Sequence, residues 1–170
     1  MQHGQQGLGG ALLRLQLLNG TKNEPRQFTS PPIAFSWTDG TPLNSTASTT
    51  SGVFTQKGKF VLTAPPPPAN ATWKLTAFFG VCGTAAKMER VSPGARKIEK
   101  SVRVAKAAGT RNFEYAVTFS GGALELTWKR DADADPAEEG NLTFQAAKLE
   151  RVTDGGGDGV VLQAATLTQD

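Results

Sequence analysis

The sequence predicts an all-β domain, a sandwich or barrel of about ten short antiparallel strands, on three observations. Short runs alternate apolar and polar residues, as in IAFSW at 33–37, the period that puts successive side chains on opposite faces of a sheet. Turn chemistry follows each run. TDGTP at 38–42 supplies an Asp-Gly pair, whose glycine takes positive φ without steric cost, and Pro42, which cannot donate to a ladder. Nineteen glycines and ten prolines in 170 residues repeat that punctuation almost to the C-terminus. No composition shift marks a boundary, so residues 11–168 are expected to form one domain and the Gln/Gly-rich residues 1–10 to be a flexible start.

Taken in order, Leu13, Leu15 and Leu17 alternate with Arg14 and Gln16, which predicts a first strand ending at Asn19-Gly20. A second spans 28–37, interrupted by Ser30-Pro31-Pro32, and residues 44–51 are expected to be a Ser/Thr loop. Residues 52–56 and 59–64 predict a hairpin across Lys57-Gly58. The prolines at 65–68 form a stiff stretch that no central strand tolerates. Residues 72–81 make the longest apolar strand, followed by 87–91 and by 97–105, where Val102 and Val104 favour a strand. Strands at 112–119 and 123–129 flank Ser120-Gly121-Gly122, a second hairpin signal. The acidic loop 131–140 leads to a strand at 142–152, a Gly/Asp link at 154–159 and a closing strand at 160–167.

LTFQAAKL at 142–149 matches VVLQAATL at 160–167, an offset of 18 residues. That is too short for a duplicated domain and predicts an extra terminal strand within 155–168. One copy closes the sheet, while the other covers an edge or pairs with a second molecule, a route to self-association.

Composition removes several chemistries. Cys82 is the only cysteine, which excludes an intrachain disulfide and Cys-based zinc sites. His3, the only histidine, lies in the Gln/Gly-rich start expected to be frayed, which argues against Ser-His-Asp triads and Cys-His dyads. No run reaches the roughly 18 apolar residues that cross a bilayer. Residues 11–18, broken by Arg14 and Gln16 and lacking a cationic start, do not read as a signal peptide. A net charge of +3 argues only weakly for nucleic acid.

Several blocks together resemble an accessory module of secreted bacterial and some eukaryotic surface proteins: RQFT at 26–29, FSWTDGTP at 35–42, TSGVF at 50–54, KFVLTAP at 59–65, WKLTAFFGV at 73–81, LTW at 126–128 and GNLTFQAA at 140–147. The stretch 97–128 is similar to the later part of malectin-type domains. The resemblance covers about residues 26–150 and implies a jelly-roll-like antiparallel β-sandwich. It also implies a carbohydrate-recognition role without catalysis, and a place outside the cell or at its surface.

Aromatic rings hold sugars by packing against a C–H-rich pyranose face, so strand parity decides which rings are available. Trp73 shares a face with Leu75, Ala77 and Phe79; Trp128 with Leu124 and Leu126; Phe113, Tyr115, Val117 and Phe119 form a third apolar face. All are core positions by period-2 logic. Phe78 alone lies on a polar parity, with Lys74 and Thr76, and Trp37 ends its strand beside Asp39. Trp37, Asp39 and Phe78 are therefore the candidate ligand contacts. Other glycan contacts are expected in loops, from Asn, Asp, Gln and Arg.

Asp131, Asp133 and Asp135 form the densest carboxylate cluster and are the candidate Ca²⁺ ligands. An EF-hand is excluded, because Pro136 stands where glycine is required and Leu142 where the bidentate Glu belongs. A solvated acidic loop is the default. Residues 87–111 hold eight Lys/Arg against two Glu, a basic stripe suited to a solvated face or to an acidic polysaccharide.

Function therefore narrows to three readings. The first is a non-catalytic extracellular module binding a glycan or cell-surface polymer, with no cofactor. The second is an adhesion sandwich assembling through edge strands. The third is a glycosidase remnant using two carboxylates.

Overall fold

The structure, a computed structural model, describes residues 13–28, 34–37, 46–92, 97–106, 108–137, 139–152, 160–161 and 166–169. Among these, all regular structure is strand, and no helix is long and apolar enough to cross a membrane. The strands are β1 (Arg14–Leu18), β2 (Arg26–Phe28), β3 (Phe35–Trp37), β4 (Thr46–Thr49), β5 (Gly52–Thr55), β6 (Lys59–Ala64) and β7 (Thr72–Cys82). Then come β8 (Ala86–Ser92), β9 (Lys97–Val104), β10 (Thr110–Ser120), β11 (Leu124–Arg130), β12 (Asn141–Val152), β13 (Val160–Val161) and β14 (Thr166–Gln169). Among the described residues fourteen strands replace the expected ten, in part because β4 forms inside the Ser/Thr segment expected to be a loop.

The architecture is the predicted jelly-roll-like β-sandwich. One sheet runs β14-β1-β6-β11-β8-β9 and the other β10-β7-β12-β5-β2, with β13 on β12; β3 and β4 pair separately. Pairing is antiparallel except between β14 and β1.

Parity places the core as the sequence predicts. Trp73, Leu75, Ala77, Phe79 and Val81 of β7 face Phe60 and Leu62 of β6 and Leu124, Leu126 and Trp128 of β11, all buried. The two sheets interlock through rings: Phe79 lies 5.6 Å from Trp128 and Phe144 lies 6.1 Å from Phe60, centroid to centroid. Trp128 Nε1 donates to the Gly80 carbonyl at 3.1 Å, which satisfies a buried indole across the sandwich. Glycine is required at 80 because a methyl there would meet Thr143 Oγ1 from β12, Asn112 Oδ1 at 2.6 Å and the Arg111 carbonyl at 2.8 Å from β10.

Both predicted hairpins are corrected. β5 pairs with β12 and β2, whereas β6 pairs with β1 and β11, so the chain at Lys57-Gly58 passes from one sheet to the other. β10 pairs with β7 and β11 with β6 and β8, so Ser120-Gly121-Gly122 is likewise an arch, with Gly121 at φ +82°. The adjacent strands β8 and β9 pair as a true hairpin, with an irregularity between Arg90 and Val91. The predicted closing strand is two short ones. β13 pairs with β12 through Val161 and Val160, and β14 pairs with β1 of the same chain, Leu167 opposite Leu15.

Candidate functional site

The turn after β1, the β5–β6 arch and the end of β11 meet at one end of the sandwich. Between them lies a cavity of about 190 Å³, with Asn19, Lys57, Gly58 and Lys59 on one side and Lys129, Arg130 and Ala132 on the other. Asn19 leaves β1 at φ +59°, a left-handed conformation that asparagine tolerates better than most residues. Gly58 is buried, and a side chain there would run into Leu17 Cδ1 at 2.5 Å and the Leu18 carbonyl at 2.9 Å. That contact lets the arch lie against the end of β1 and brings Lys57 and Lys59 to the rim.

A buried carboxylate holds these walls together. Glu24, 2% exposed, accepts from the Thr21 amide at 3.0 Å, the Thr55 hydroxyl at 2.8 Å and the Gln56 amide at 2.6 Å. Thr55 Oγ1 in turn accepts from the Gly58 amide at 2.8 Å. Burial, the largest influence, pushes the Glu24 carboxyl up. The Thr21, Gln56, Thr55 and Lys57 hydrogen bonds together outweigh burial and hold the carboxyl below its ordinary value of 4.5. Across the cavity, Arg130 donates to the Gly140 carbonyl at 2.8 Å, and Lys129 Nζ lies 2.7 Å from Glu89 Oε2.

The residues predicted from sequence lie elsewhere. Phe78 is half-buried, and its ring meets Phe35 at 4.8 Å, so it seats β3 on the second sheet. Trp37 ends β3 with its backbone opposite Thr46, and Asp39 lies outside the described residues. Phe78 and the β3 strand that carries Trp37 therefore share one side of the molecule, through Phe35.

Asp131, Asp133 and Asp135 follow β11 at the same end as the cavity, but the loop is not simply solvated. Asp131 is fully buried and Asp135 is 6% exposed; only Asp133 faces water. Arg103 Nε stands 3.3 Å from Asp131 Oδ2, close enough for attraction but not aligned as a hydrogen bond, and its Nη2 donates to Asp133 at 3.1 Å. Lys106 donates to Asp135 Oδ1 at 3.1 Å. That hydrogen bond is the main reason the Asp135 carboxyl sits below its ordinary value. Among the described residues neither oxygen of Asp131 nor Oδ2 of Asp135 has a hydrogen-bond partner. Among the described residues no three Asp, Glu, His or Cys side chains converge on one point.

The cavity residues Asn19, Lys57, Lys59, Lys129 and Arg130 are absent from the sequence-based candidates. Their only local signal is basic residues beside a turn, at 57–59 and 129–130. Long-range register brings them together.

No protein-family model and no curated protein matches the chain. Among solved structures it is similar to the enzymatically active domain of tailspike protein 4 of Bacteriophage CBA120, with a TM-score of 0.43 and 7% identity over 86% of this chain; the match spans 20% of that chain. Two others are carbohydrate-binding modules. TmCBM61, solved with β-1,4-galactotriose, gives a TM-score of 0.45 and 15% identity over 82% of this chain and 88% of that one. CBM6cm-2 from Cellvibrio mixtus lichenase 5A, solved with cellotriose, gives 0.36 and 8% over 71% and 87%. At these low scores the functional argument rests on the chain's own residues.

Proposed function

We propose that this chain is a glycan-binding β-sandwich module, extracellular or displayed at a cell surface, that contacts its ligand through the loop-end cavity. The carrying observation is the cavity itself. Its volume of about 190 Å³ lies below the roughly 300 Å³ at which pockets for free drug-sized ligands begin. One sugar unit of a longer chain suits such a space. Long Lys and Arg donors with the Asn19 amide suit hydroxyl and ring oxygens, and their rim position lets a polymer continue into solvent. Among the described residues the lining carries no carboxylate, imidazole or thiol, which favours binding over glycoside hydrolysis by paired carboxylates.

Titration of the full chain against a broad panel of oligosaccharides tests this. Binding is expected, weakened about tenfold or more when Asn19→Ala is combined with Lys59→Ala. Trp37→Ala and Asp39→Ala, in the same panel, report whether the β3 side adds contacts. A panel without a single binder would overturn the reading.

A structural cation is proposed beside Asp131 and Asp135. It is supported by Asp131 Oδ1 and Asp135 Oδ2, the oxygens turned away from Arg103 and Lys106, which are buried without a hydrogen bond among the described residues, and by the oxygen-rich chemistry that Ca²⁺ prefers.

A further inference from the structure

We infer that the loop-end cavity takes an anionic sugar unit, bearing a uronate carboxylate or a sulfate ester, in preference to a neutral one; this rests on the glycan-binding reading above. Three observations lead there. The lining brings together Lys57, Lys59, Lys129 and Arg130 with no carboxylate among its described residues, although the whole chain carries a net charge of only +3. The local excess is therefore a property of the cavity.

The cations are also unequally committed. Lys129 is matched by Glu89 at 2.7 Å, and Arg130 is held by the Gly140 carbonyl. Lys57 and Lys59 have no ion-pair partner among the described residues. Other bases near the acidic loop are matched, Arg103 by Asp131 and Asp133 and Lys106 by Asp135.

Register supplies the third observation. β8 and β11 run antiparallel with Lys87 opposite Lys129, and Lys59 lies one residue beyond the Phe60–Trp128 pair that ends the β6–β11 ladder. Like charges facing across a ladder are unfavourable, and Glu89, shared between Lys87 and Lys129, leaves Lys59 without a counter-charge among the described residues. A bound anion completes the arrangement. Departures from local rules of this kind are expected where a site uses them.

A carboxylate or sulfate on a sugar fits better than a nucleic acid. Nucleotide strands are held by stacking bases on rings as well as by charge, and among the described residues no aromatic side chain lines the cavity.

The experiment is calorimetric titration of the full chain at low and physiological ionic strength. The four probes are an oligogalacturonate, a sulfated galactan oligosaccharide, a neutral galacto-oligosaccharide of matched length and a single-stranded oligonucleotide. At least one acidic saccharide is expected to bind at least about tenfold more tightly than the neutral one and to weaken as salt rises. Whichever acidic arm binds identifies the carboxylate or the sulfate as the recognised group.

Lys57→Ala with Lys59→Ala, and separately Lys59→Glu, are expected to remove that preference, with Lys148→Ala as an unaffected surface control. Thermal unfolding confirms that each variant folds, and Lys57→Ala alone, at an exposed position, is the fallback. Neutral and acidic saccharides binding equally, or a preference surviving both variants, would overturn the anionic assignment and leave the glycan reading standing. No saccharide binding at all would end both. An oligonucleotide outbinding every saccharide would replace the ligand class.

Discussion

Glu24 is a charged residue between a turn and a proline, the kind of position that ordinarily faces water, yet it is buried and accepts three hydrogen bonds shorter than or equal to 3.0 Å. Burying a carboxylate is tolerable only when its lone pairs are used. Here they tie the turn after β1 to the arch that carries Lys57. Glu24→Gln keeps the shape but aims an amide NH₂ at groups that are themselves donors. We expect a loss of about 2–3 kcal/mol at neutral pH, read from the denaturant midpoint. The sign of the pH effect follows from the lowered pKa. The stabilisation is fully present above the ordinary value of 4.5 and disappears as pH falls through the lower folded value. The gap between wild type and variant should therefore close in acid. A gap that stays constant across that window would mean that Glu24 acts through packing and not through charge. Nothing in the local sequence announces this role, because Glu24's partners lie 31 and 32 residues away at Thr55 and Gln56.

At the scale of elements, the sequence tells where strands lie better than which strands pair. The alternation at 73–81 and 124–128 correctly marks the residues that face the core, because period-2 burial is written in consecutive residues, but not the burial of Thr76 and Thr127 on the opposite face. Lys57-Gly58 and Ser120-Gly121-Gly122 state that the chain reverses. A reversal serves equally for a hairpin in one sheet or an arch between two, and only the partners on the far sides, β1, β7, β8 and β12, decide. The cavity was hidden for the same reason, since its walls come from three separated turns. In the 131–135 loop the aspartates stand out in the sequence, but the burial of Asp131 and Asp135 does not. If a cation completes that loop, millimolar Ca²⁺ should raise the melting temperature by several degrees, as a ligand bound only to the native state does. EDTA should reverse the rise and Asp131→Asn should abolish it. An unchanged melting curve would leave Arg103 and Lys106 of the β9 end as the only charges supporting the pair.

For the whole molecule, the treatment of sheet edges separates a binding module from one that assembles through its strands. β9, an outer strand of the first sheet, exposes Lys100 and Arg103, and charge on an edge discourages pairing with another chain. β1 has little such protection: its sequence RLQLL carries one charge, Arg14, and its Leu15 and Leu17 are core residues. β14 covers that edge in parallel over four residue pairs, Arg14–Thr166 to Leu17–Gln169. The second QAAxL copy thus ends in a strand that the fold uses internally. Removing residues 153–170 should cost about 1–3 kcal/mol for the lost ladder. It should also turn a monomer into a species whose sedimentation coefficient rises with concentration, as the bare β1 edge finds partners. The adhesion reading predicts the reverse: the full chain associates and the truncated one does not. Sedimentation of the two forms at matched concentrations decides between them. A full chain that stays monomeric leaves the loop-end cavity, not a strand edge, as the surface through which this sandwich meets its partner.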